Sequence, residues 1–308
     1  MSTRWLLSLF VTVAAAMAQP SPAGAPPVPQ GVKPPRPAPS WVDPDRTEPP
    51  LTRYRTFQST AAGSEVSYLI YLPPDYDTQT AARYPVIYWL HGIGGGQRVG
   101  AMSGLVARMD AAIQAKSAPP VIIVFVNGMR DSWYIDTADG KRPVESMIVK
   151  DLIPHVDATY RTVATRSGRA VEGFSMGGFG AAHLGFKFSE LFGTVSILGG
   201  AMLPATRAGN FAAFGAEQDY FDANSPRKLV EKNAKAIGGR TRIRVVAGDQ
   251  DKAVNNGPQL FHELMERLEV AHEWSLLPGV THDVRIFYQA LNDRTEKYYA
   301  AAFQGAGR

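Results

Sequence analysis

Short apolar runs and amphipathic segments alternate along the chain from residue 52 onward. The segment EVSYLIYLPP (65–74) alternates apolar and polar positions, which predicts a half-buried strand, and TRYRTFQS (52–59) predicts its hairpin partner. Unbroken apolar runs follow, as is typical of strands in a sheet that is covered on both faces. These runs predict strands at 85–92, 121–128, 169–175, 193–200, 242–249 and 272–279.

Segments with helical periodicity lie between the apolar runs. In QLFHELMERLEVA (259–271), Leu260, Leu264, Leu268 and Val270 fall on one face of a helix. Helices are predicted at about 101–116, 144–160, 177–187, 225–237, 256–270 and 284–302. This alternation predicts an α/β fold with a doubly wound, mostly parallel sheet and helices on both of its faces.

The first 50 residues have a different composition from the rest of the chain. Arg4 precedes an apolar stretch at 5–18 that ends in Ala16-Met17-Ala18, the pattern of a signal-peptide cleavage site. This stretch is too short to span a bilayer as a helix. We therefore predict a signal peptide at 1–18, a mature chain that begins near Gln19, no membrane span and a secreted or periplasmic location. From residue 20 to 50 the chain has 12 prolines, which predicts a disordered linker at 19–50 before a single domain at 51–308.

Charge and cysteine content exclude several classes of function. The formal net charge is +4. The 32 basic and 28 acidic residues of the chain are interspersed without a basic run, so nucleic-acid binding is not indicated. The chain has no cysteine, which excludes disulfides, thiolate metal sites and a cysteine nucleophile. The segment DTADG (136–140) has two carboxylates, but such a pair is more typical of a turn than of a calcium site, and no metal is predicted.

Ser175 is the candidate nucleophile. It ends the apolar run RAVEGFS, lies between Gly173 and Gly177, and is followed by a segment compatible with a helix. A serine on a sharp strand-to-helix turn needs small neighbours two positions before and after it, since the backbone there is strained. In open α/β sheets the carboxyl end of a strand is also where functional sites form.

His282 and Asp251 are the candidate base and acid. His282 lies in the loop LPGVTHD after the last predicted strand, whereas the remaining histidines fall in helices, at a strand start or in a glycine-rich loop. An acid is expected between the serine and the histidine in sequence, and VVAGDQD offers Asp251 and Asp249. Asp251 is favoured because it lies further past the end of the strand, in the loop, whereas Asp249 is placed to cap a turn. Glu172 is a third carboxylate, for which pairing with a positive charge is the simpler role.

The glycine-rich segment LHGIGGGQ (90–97) predicts an oxyanion hole. Such a loop allows backbone N–H groups to approach a developing negative charge, and we expect the amides of Ile93 and Met176 to be the donors. A phosphate-binding loop is disfavoured because no Lys-Ser/Thr or G-x-G-x-x-G pattern follows.

Four motifs in order, LHGIGGG, EGFSMGGFGAA, AGDQD and PGVTHD, resemble the putative esterase family of α/β-hydrolases. This family includes esterase D, feruloyl and acetylxylan esterases and mycolyltransferases, and the resemblance covers residues 54–303. It implies a serine esterase with the triad Ser175, Asp251 and His282 and without a cofactor. The segment NGMRDSWYID (127–136) is similar to a loop that borders the family's active site, which makes Trp133 and Tyr134 candidate substrate-binding residues.

The sequence leaves the substrate open. Feruloyl-esterase-like members often carry a tryptophan two positions after the catalytic histidine, where this chain has Val284. We predict an exported carboxylic-ester hydrolase that acts on carbohydrate-linked or other small acyl esters. An acyltransferase with the same triad and a non-catalytic glycan-binding module on the same scaffold are the alternatives. The oligomeric state is not predicted.

Overall fold

The computed structural model describes residues 40–203 and 211–305. An eight-stranded sheet with the strand order β1-β2-β4-β3-β5-β6-β7-β8 forms the centre of the domain. Strands β1 and β2 form an antiparallel hairpin, β2 is antiparallel to β4, and all other neighbouring pairs are parallel. The strands are β1 Thr52–Ser59, β2 Ser64–Tyr71, β3 Val86–Leu90, β4 Ile122–Val126, β5 Arg169–Phe174, β6 Thr194–Leu198, β7 Arg242–Gly248 and β8 Glu273–Leu277.

Helices cover both faces of the sheet, so the predicted α/β fold is confirmed. The helices are α1 Gln97–Ala101, α2 Leu105–Gln114, α3 Val144–Ser146, α4 Ile153–Thr159, α5 Met176–Lys187, α6 Gln218–Asn224, α7 Pro226–Ile237, α8 Gly257–Arg267, α9 Val284–Leu291 and α10 Arg294–Ala302. A π-helical turn, Met147–Leu152, joins α3 to α4, and 3-10 turns occur at Arg166–Gly168 and Ala212–Phe214. Within the described ranges, no helix combines the length and the apolar character needed to cross a membrane.

Two apolar cores lie on opposite faces of the sheet. Successive side chains of a strand point to opposite faces, so alternate residues of β3 enter different cores. Tyr88 belongs to the core that includes residues of α3 to α8, and Trp89 belongs to the core that includes residues of α1, α2, α9 and α10. The fully buried central strands explain why their sequences read as unbroken apolar runs.

Two predicted helices are interrupted in the structure. The segment expected at 101–116 begins at the last residue of α1 and contains all of α2, and Gly104, with φ of 99°, lies directly before α2. The segment expected at 284–302 contains α9 and α10, which are separated at Asn292 with φ of 50°. Each break includes one residue with a positive φ, a backbone conformation that does not continue a helix.

The boundary between linker and domain lies earlier than predicted. Residues 40–50 were expected to belong to a disordered linker, yet Trp41 packs on the core and its carbonyl oxygen accepts a hydrogen bond from the Ser67 N–H at 2.9 Å. Those residues belong to the same compact unit as the sheet, which runs from Pro39 onward. The predicted signal peptide and most of the predicted linker lie outside the described residues.

Candidate active site

Ser175 occupies a strained turn between β5 and α5. Its φ of 62° and ψ of −118° lie where a side chain is disfavoured. Two hydrogen bonds hold the turn: the Ser175 N–H donates to the Leu198 carbonyl at 3.0 Å, and the Ser175 carbonyl accepts from the Ala201 N–H at 3.0 Å. The turn therefore presents the hydroxyl at the carboxyl end of a central strand, at the N-terminus of a helix.

The two glycines beside Ser175 are required by close backbone contacts. A Cβ atom on Gly173 would lie 2.0 Å from the carbonyl oxygen of Gly177. A Cβ atom on Gly177 would lie 2.0 Å from the carbonyl oxygen of Leu90 at the end of β3. Because both clashes are with backbone atoms, neither position could accept a side chain without displacing the turn.

The side chains of Ser175, His282 and Asp251 lie in a hydrogen-bonded row. His282, in the loop between β8 and α9, has Nε2 2.9 Å from Ser175 Oγ and Nδ1 2.7 Å from Asp251 Oδ2. The Asp251 carboxylate is fully buried, whereas the His282 side chain is 24% exposed. The ring of Phe174 packs on the imidazole with 4.5 Å between ring centroids. A buried carboxylate, a partly exposed imidazole and a hydroxyl in this order can transfer a proton away from the serine.

The structure distinguishes the two aspartates that the sequence offers. Asp251 accepts from His282 with Oδ2 and from the Ala253 N–H with Oδ1 at 3.1 Å. Asp249 is exposed, and its Oδ1 accepts from the Gly279 N–H at 2.7 Å, which stabilises the turn after β8. Only Asp251 is in contact with His282.

Glu172 belongs to a buried charged network behind the site. Its carboxylate accepts from Arg244 Nη2 at 2.6 Å and from the hydroxyls of Ser196, Tyr288 and Tyr299 at 2.5, 2.5 and 2.8 Å. Burial acts to lower the pKa of Arg244, but the Glu172 carboxylate and the hydroxyls of Tyr299 and Tyr298 together raise that pKa above its ordinary value. Glu172 is thus paired with a cation on β7 and has no contact with His282.

The five remaining histidines have other partners. His183 Nε2 lies 2.5 Å from Glu145 Oε2, and His155 Nε2 lies 3.0 Å from the Tyr68 hydroxyl. His262 and His272 contact each other at 2.7 Å, and His91 Nδ1 lies 2.9 Å from the carbonyl oxygen of Gly92. Among the described histidines, His282 is the one that reaches Ser175.

The predicted oxyanion donors lie next to the serine turn. Met176 is the first residue of α5, and Ile93 lies in the loop after β3. That loop passes close to the nucleophile, since a Cβ atom on Gly92 would lie 3.1 Å from Ser175 Cβ. In the part of the chain that the structure describes, neither amide donates a hydrogen bond to another residue. Both N–H groups are therefore free for a ligand, and their role as donors stays a prediction.

Trp133 and Tyr134 are core residues in the structure. Tyr134 is fully buried, and its hydroxyl donates to the His91 carbonyl at 3.0 Å. Trp133 is 4% exposed and packs against Phe179, Phe211 and Phe214. Neither lines the cavity beside His282. The structure gives both a packing role, and the prediction that they contact substrate has no support from their burial.

A cavity of about 660 Å³ borders His282. Its apolar wall includes Val99, Met102, Phe174 and Val284, and charged residues also line it: Asp43, Asp45, Arg98, Asp283 and Arg285. Val284, two positions after His282, forms part of this wall. Asp43 and Asp45 lie in a proline-rich stretch that has no motif, so their place beside the cavity could not be predicted from the sequence. Within the described ranges, no three His, Asp or Glu side chains come together as metal ligands would.

Comparison with known proteins identifies the family of this chain. A family model described as putative esterase matches residues 59–307, which include strands β2 to β8 and all three side chains of the hydrogen-bonded row. The chain belongs to the putative esterase family. Membership classes the domain with the serine ester hydrolases, and we refer to it below as the esterase domain.

The named relatives are esterases, and a solved structure shares the fold. An esterase of Mycobacterium tuberculosis is 36% identical over 158 residues, which are 50% of this chain and 33% of that protein. An endo-1,4-beta-xylanase/feruloyl esterase of Xylanibacter ruminicola is 31% identical over 159 residues, 48% of this chain and 22% of that protein. The chain thus spans a third or less of the length of each of these two relatives. A solved ferulic acid esterase superposes with a TM-score of 0.72 at 24% identity, covering 82% of this chain and 98% of the other, which shows a shared fold.

The burial of His91 predicts that the stability of the esterase domain depends on pH. Burial lowers the pKa of His91 from 6.5 to about 4, although its hydrogen bond to Gly92 acts in the opposite direction. The unfolded chain therefore binds a proton that the folded chain does not, so His91 contributes full stability above pH 6.5 and loses it as the pH falls toward 4. The loss is about 3 kcal/mol.

Urea unfolding of wild type and His91→Asn at pH 5 and pH 8 measures this contribution. The wild type is expected to lose more stability between the two pH values than the variant, whose amide can still donate to Gly92. Equal losses in the two proteins would show that the proton is bound elsewhere.

Proposed function

We propose that the esterase domain hydrolyses carboxylic esters through an acyl-enzyme on Ser175. The observation that carries the proposal is the continuous contact from Ser175 Oγ to His282 Nε2 at 2.9 Å and from His282 Nδ1 to Asp251 at 2.7 Å. Asp251 holds the imidazole with its proton on Nδ1, so that Nε2 is free to accept the proton of the serine.

The reaction proceeds in two halves. Ser175 Oγ forms a bond to the ester carbonyl carbon while His282 Nε2 takes the hydroxyl proton. The amides of Ile93 and Met176 donate to the carbonyl oxygen as it becomes negative. When the bond to the alcohol oxygen breaks, His282 returns the proton to that oxygen and the alcohol leaves. A water molecule then attacks the acyl-enzyme with His282 again as base, which releases the acid and restores Ser175.

We further propose that the alcohol occupies the cavity beside His282. The leaving oxygen must lie within reach of Nε2 to receive its proton, and His282 forms one wall of the 660 Å³ cavity. Arg98 and the carboxylates of Asp43 and Asp45 provide hydrogen-bonding groups suited to hydroxyls. The substrate class we propose is a small acyl ester of a carbohydrate or another small alcohol, and the relative named endo-1,4-beta-xylanase/feruloyl esterase is consistent with it. The N-terminal pattern supports action outside the cytoplasm.

Product analysis separates hydrolysis from acyl transfer. The full chain is incubated with nitrophenyl acetate and nitrophenyl butyrate, with and without a sugar acceptor, and the products are measured by chromatography and mass spectrometry. We expect free acid in an amount equal to the nitrophenolate released, with or without sugar. Acylated sugar in place of free acid would identify the domain as an acyltransferase. No nitrophenolate release between pH 6 and pH 9 would overturn the proposal.

A further inference from the structure

An N-terminal arm, residues 40–45, is hydrogen-bonded to the β1–β2 hairpin. The Trp41 carbonyl accepts from the Ser67 N–H at 2.9 Å, and the Asp43 N–H donates to Ser67 Oγ at 2.9 Å. The Tyr54 hydroxyl donates to the Asp43 carbonyl at 3.0 Å. The arm therefore lies on the β1–β2 hairpin in a defined position, although its sequence is part of a proline-rich stretch.

Asn127 holds the arm from the opposite side. It follows β4, it is 7% exposed, and its Nδ2 donates to the carbonyl oxygens of Ser40 and Trp41 at 3.1 and 2.9 Å. Nδ2 also contacts Ser67 Oγ at 3.3 Å. Its Oδ1 accepts from the Met129 N–H at 3.2 Å, so the same side chain fixes the start of the loop after β4.

Ser67 connects these contacts to the oxyanion loop, residues 91–97. Its hydroxyl accepts from the Asp43 N–H and lies 3.3 Å from Asn127 Nδ2. The acceptors within reach of its one proton are Gln97 Oε1 at 3.4 Å and the Trp41 carbonyl oxygen at 3.5 Å. Gln97 is 1% exposed and is both the last residue of the loop and the first residue of α1. Arg98 forms an ion pair with Asp45 of the arm.

The loop is held on its other side by the segment that Asn127 begins. The Gly94 N–H donates to the Arg130 carbonyl at 2.7 Å, and the Tyr134 hydroxyl donates to the His91 carbonyl at 3.0 Å. The buried side chain of Asn127 therefore contacts both the arm and the segment after β4, and the oxyanion loop lies between these two. We therefore expect a change in its position to affect the Ile93 amide, which directly precedes Gly94 in the loop.

We propose that Asn127, Ser67 and Gln97 are positioning residues for the oxyanion loop, and that the arm is part of the catalytic apparatus. The inference rests on the proposed function, since it assigns these residues to the placement of the Ile93 amide. Their effect is on the transition state, because an oxyanion donor binds the charged oxygen far more strongly than the ester carbonyl.

Asn127→Ala tests this role against a matched control. Asn233→Ala also removes an amide that donates to a main-chain carbonyl, that of Phe186 at 2.9 Å, but on α7 away from the site. We expect Asn127→Ala to lower kcat on nitrophenyl acetate by roughly tenfold to a hundredfold, with KM within about twofold of wild type, because a small displacement of a catalytic group has effects of this size. Asn233→Ala should leave both constants within about twofold of wild type.

Hydrogen–deuterium exchange gives a readout that does not depend on activity. In Asn127→Ala, and in the smaller change Ser67→Ala, the amides of residues 91–97 should exchange faster than in Asn233→Ala. Unchanged exchange of the loop, or a kcat equal to that of the control, would overturn the positioning role. Faster exchange in a domain whose wild type hydrolyses no ester would instead support the coupling of arm and loop and overturn the proposed function.

Discussion

Replacing Ser175 with alanine is expected to lower kcat for nitrophenyl esters by roughly five to six orders of magnitude. The variant retains Cβ, which packs against the oxyanion loop at Gly92, and loses only the hydroxyl that contacts His282 Nε2 at 2.9 Å. Without a nucleophile no acyl-enzyme can form, and the remaining acceleration would come from binding and the oxyanion donors alone.

Thermal unfolding controls for misfolding of this variant. The melting temperature of Ser175→Ala should stay within about 2 °C of wild type, since no packing is lost. A variant that is folded and retains more than about 1% of wild-type kcat would show that another group carries the reaction.

Asp251→Asn is expected to lower kcat by about four orders of magnitude. An amide at this position can donate to Nδ1 and so favours the imidazole tautomer with its proton on Nε2, which cannot accept the proton of Ser175. It also removes the negative charge that stabilises the imidazolium. Steady-state kinetics at pH 7.5 measure the effect.

Asp249→Asn is the matched control, two positions away in the same loop. Its side-chain oxygen can still accept from the Gly279 N–H, so kcat should remain within about twofold of wild type. A larger loss in Asp249→Asn than in Asp251→Asn would contradict the assignment of the acid.

Local sequence pattern was enough to predict the sheet and the row of three side chains. Strands β5 and β7, which precede Ser175 and Asp251, are almost fully buried, and their apolar runs are visible in the sequence. Strand β8, which precedes His282, lies at the edge of the sheet and is partly exposed, and Pro278 and Gly279 mark its end in the sequence. Parallel strands bring their carboxyl ends together, so a serine, an aspartate and a histidine at three strand ends could be expected to meet. The choice between Asp251 and Asp249 rested on a two-residue offset, and the structure brings Asp251 to His282.

What the sequence could not predict depends on contacts between distant segments. Asn127 and Trp41 are 86 positions apart, and no periodicity or motif relates them. Trp133 and Tyr134 lie in a loop whose sequence is typical of a surface. Their backbone φ values of 58° and 59° are in the left-handed region, and both side chains are buried in the structure. The helix α6 was missed because its seven residues are too short to show a clear apolar face.

Covalent trapping of the nucleophile tests the central claim most directly. The full chain is incubated with a fluorophosphonate, and the adduct is located by intact mass and peptide mapping, with Ser175→Ala alongside. The account predicts one adduct per chain, on the peptide that contains Ser175, loss of ester hydrolysis in proportion to labelling, and no adduct in the variant. An adduct on a different serine, or ester hydrolysis by an enzyme that is never labelled at Ser175, would contradict it.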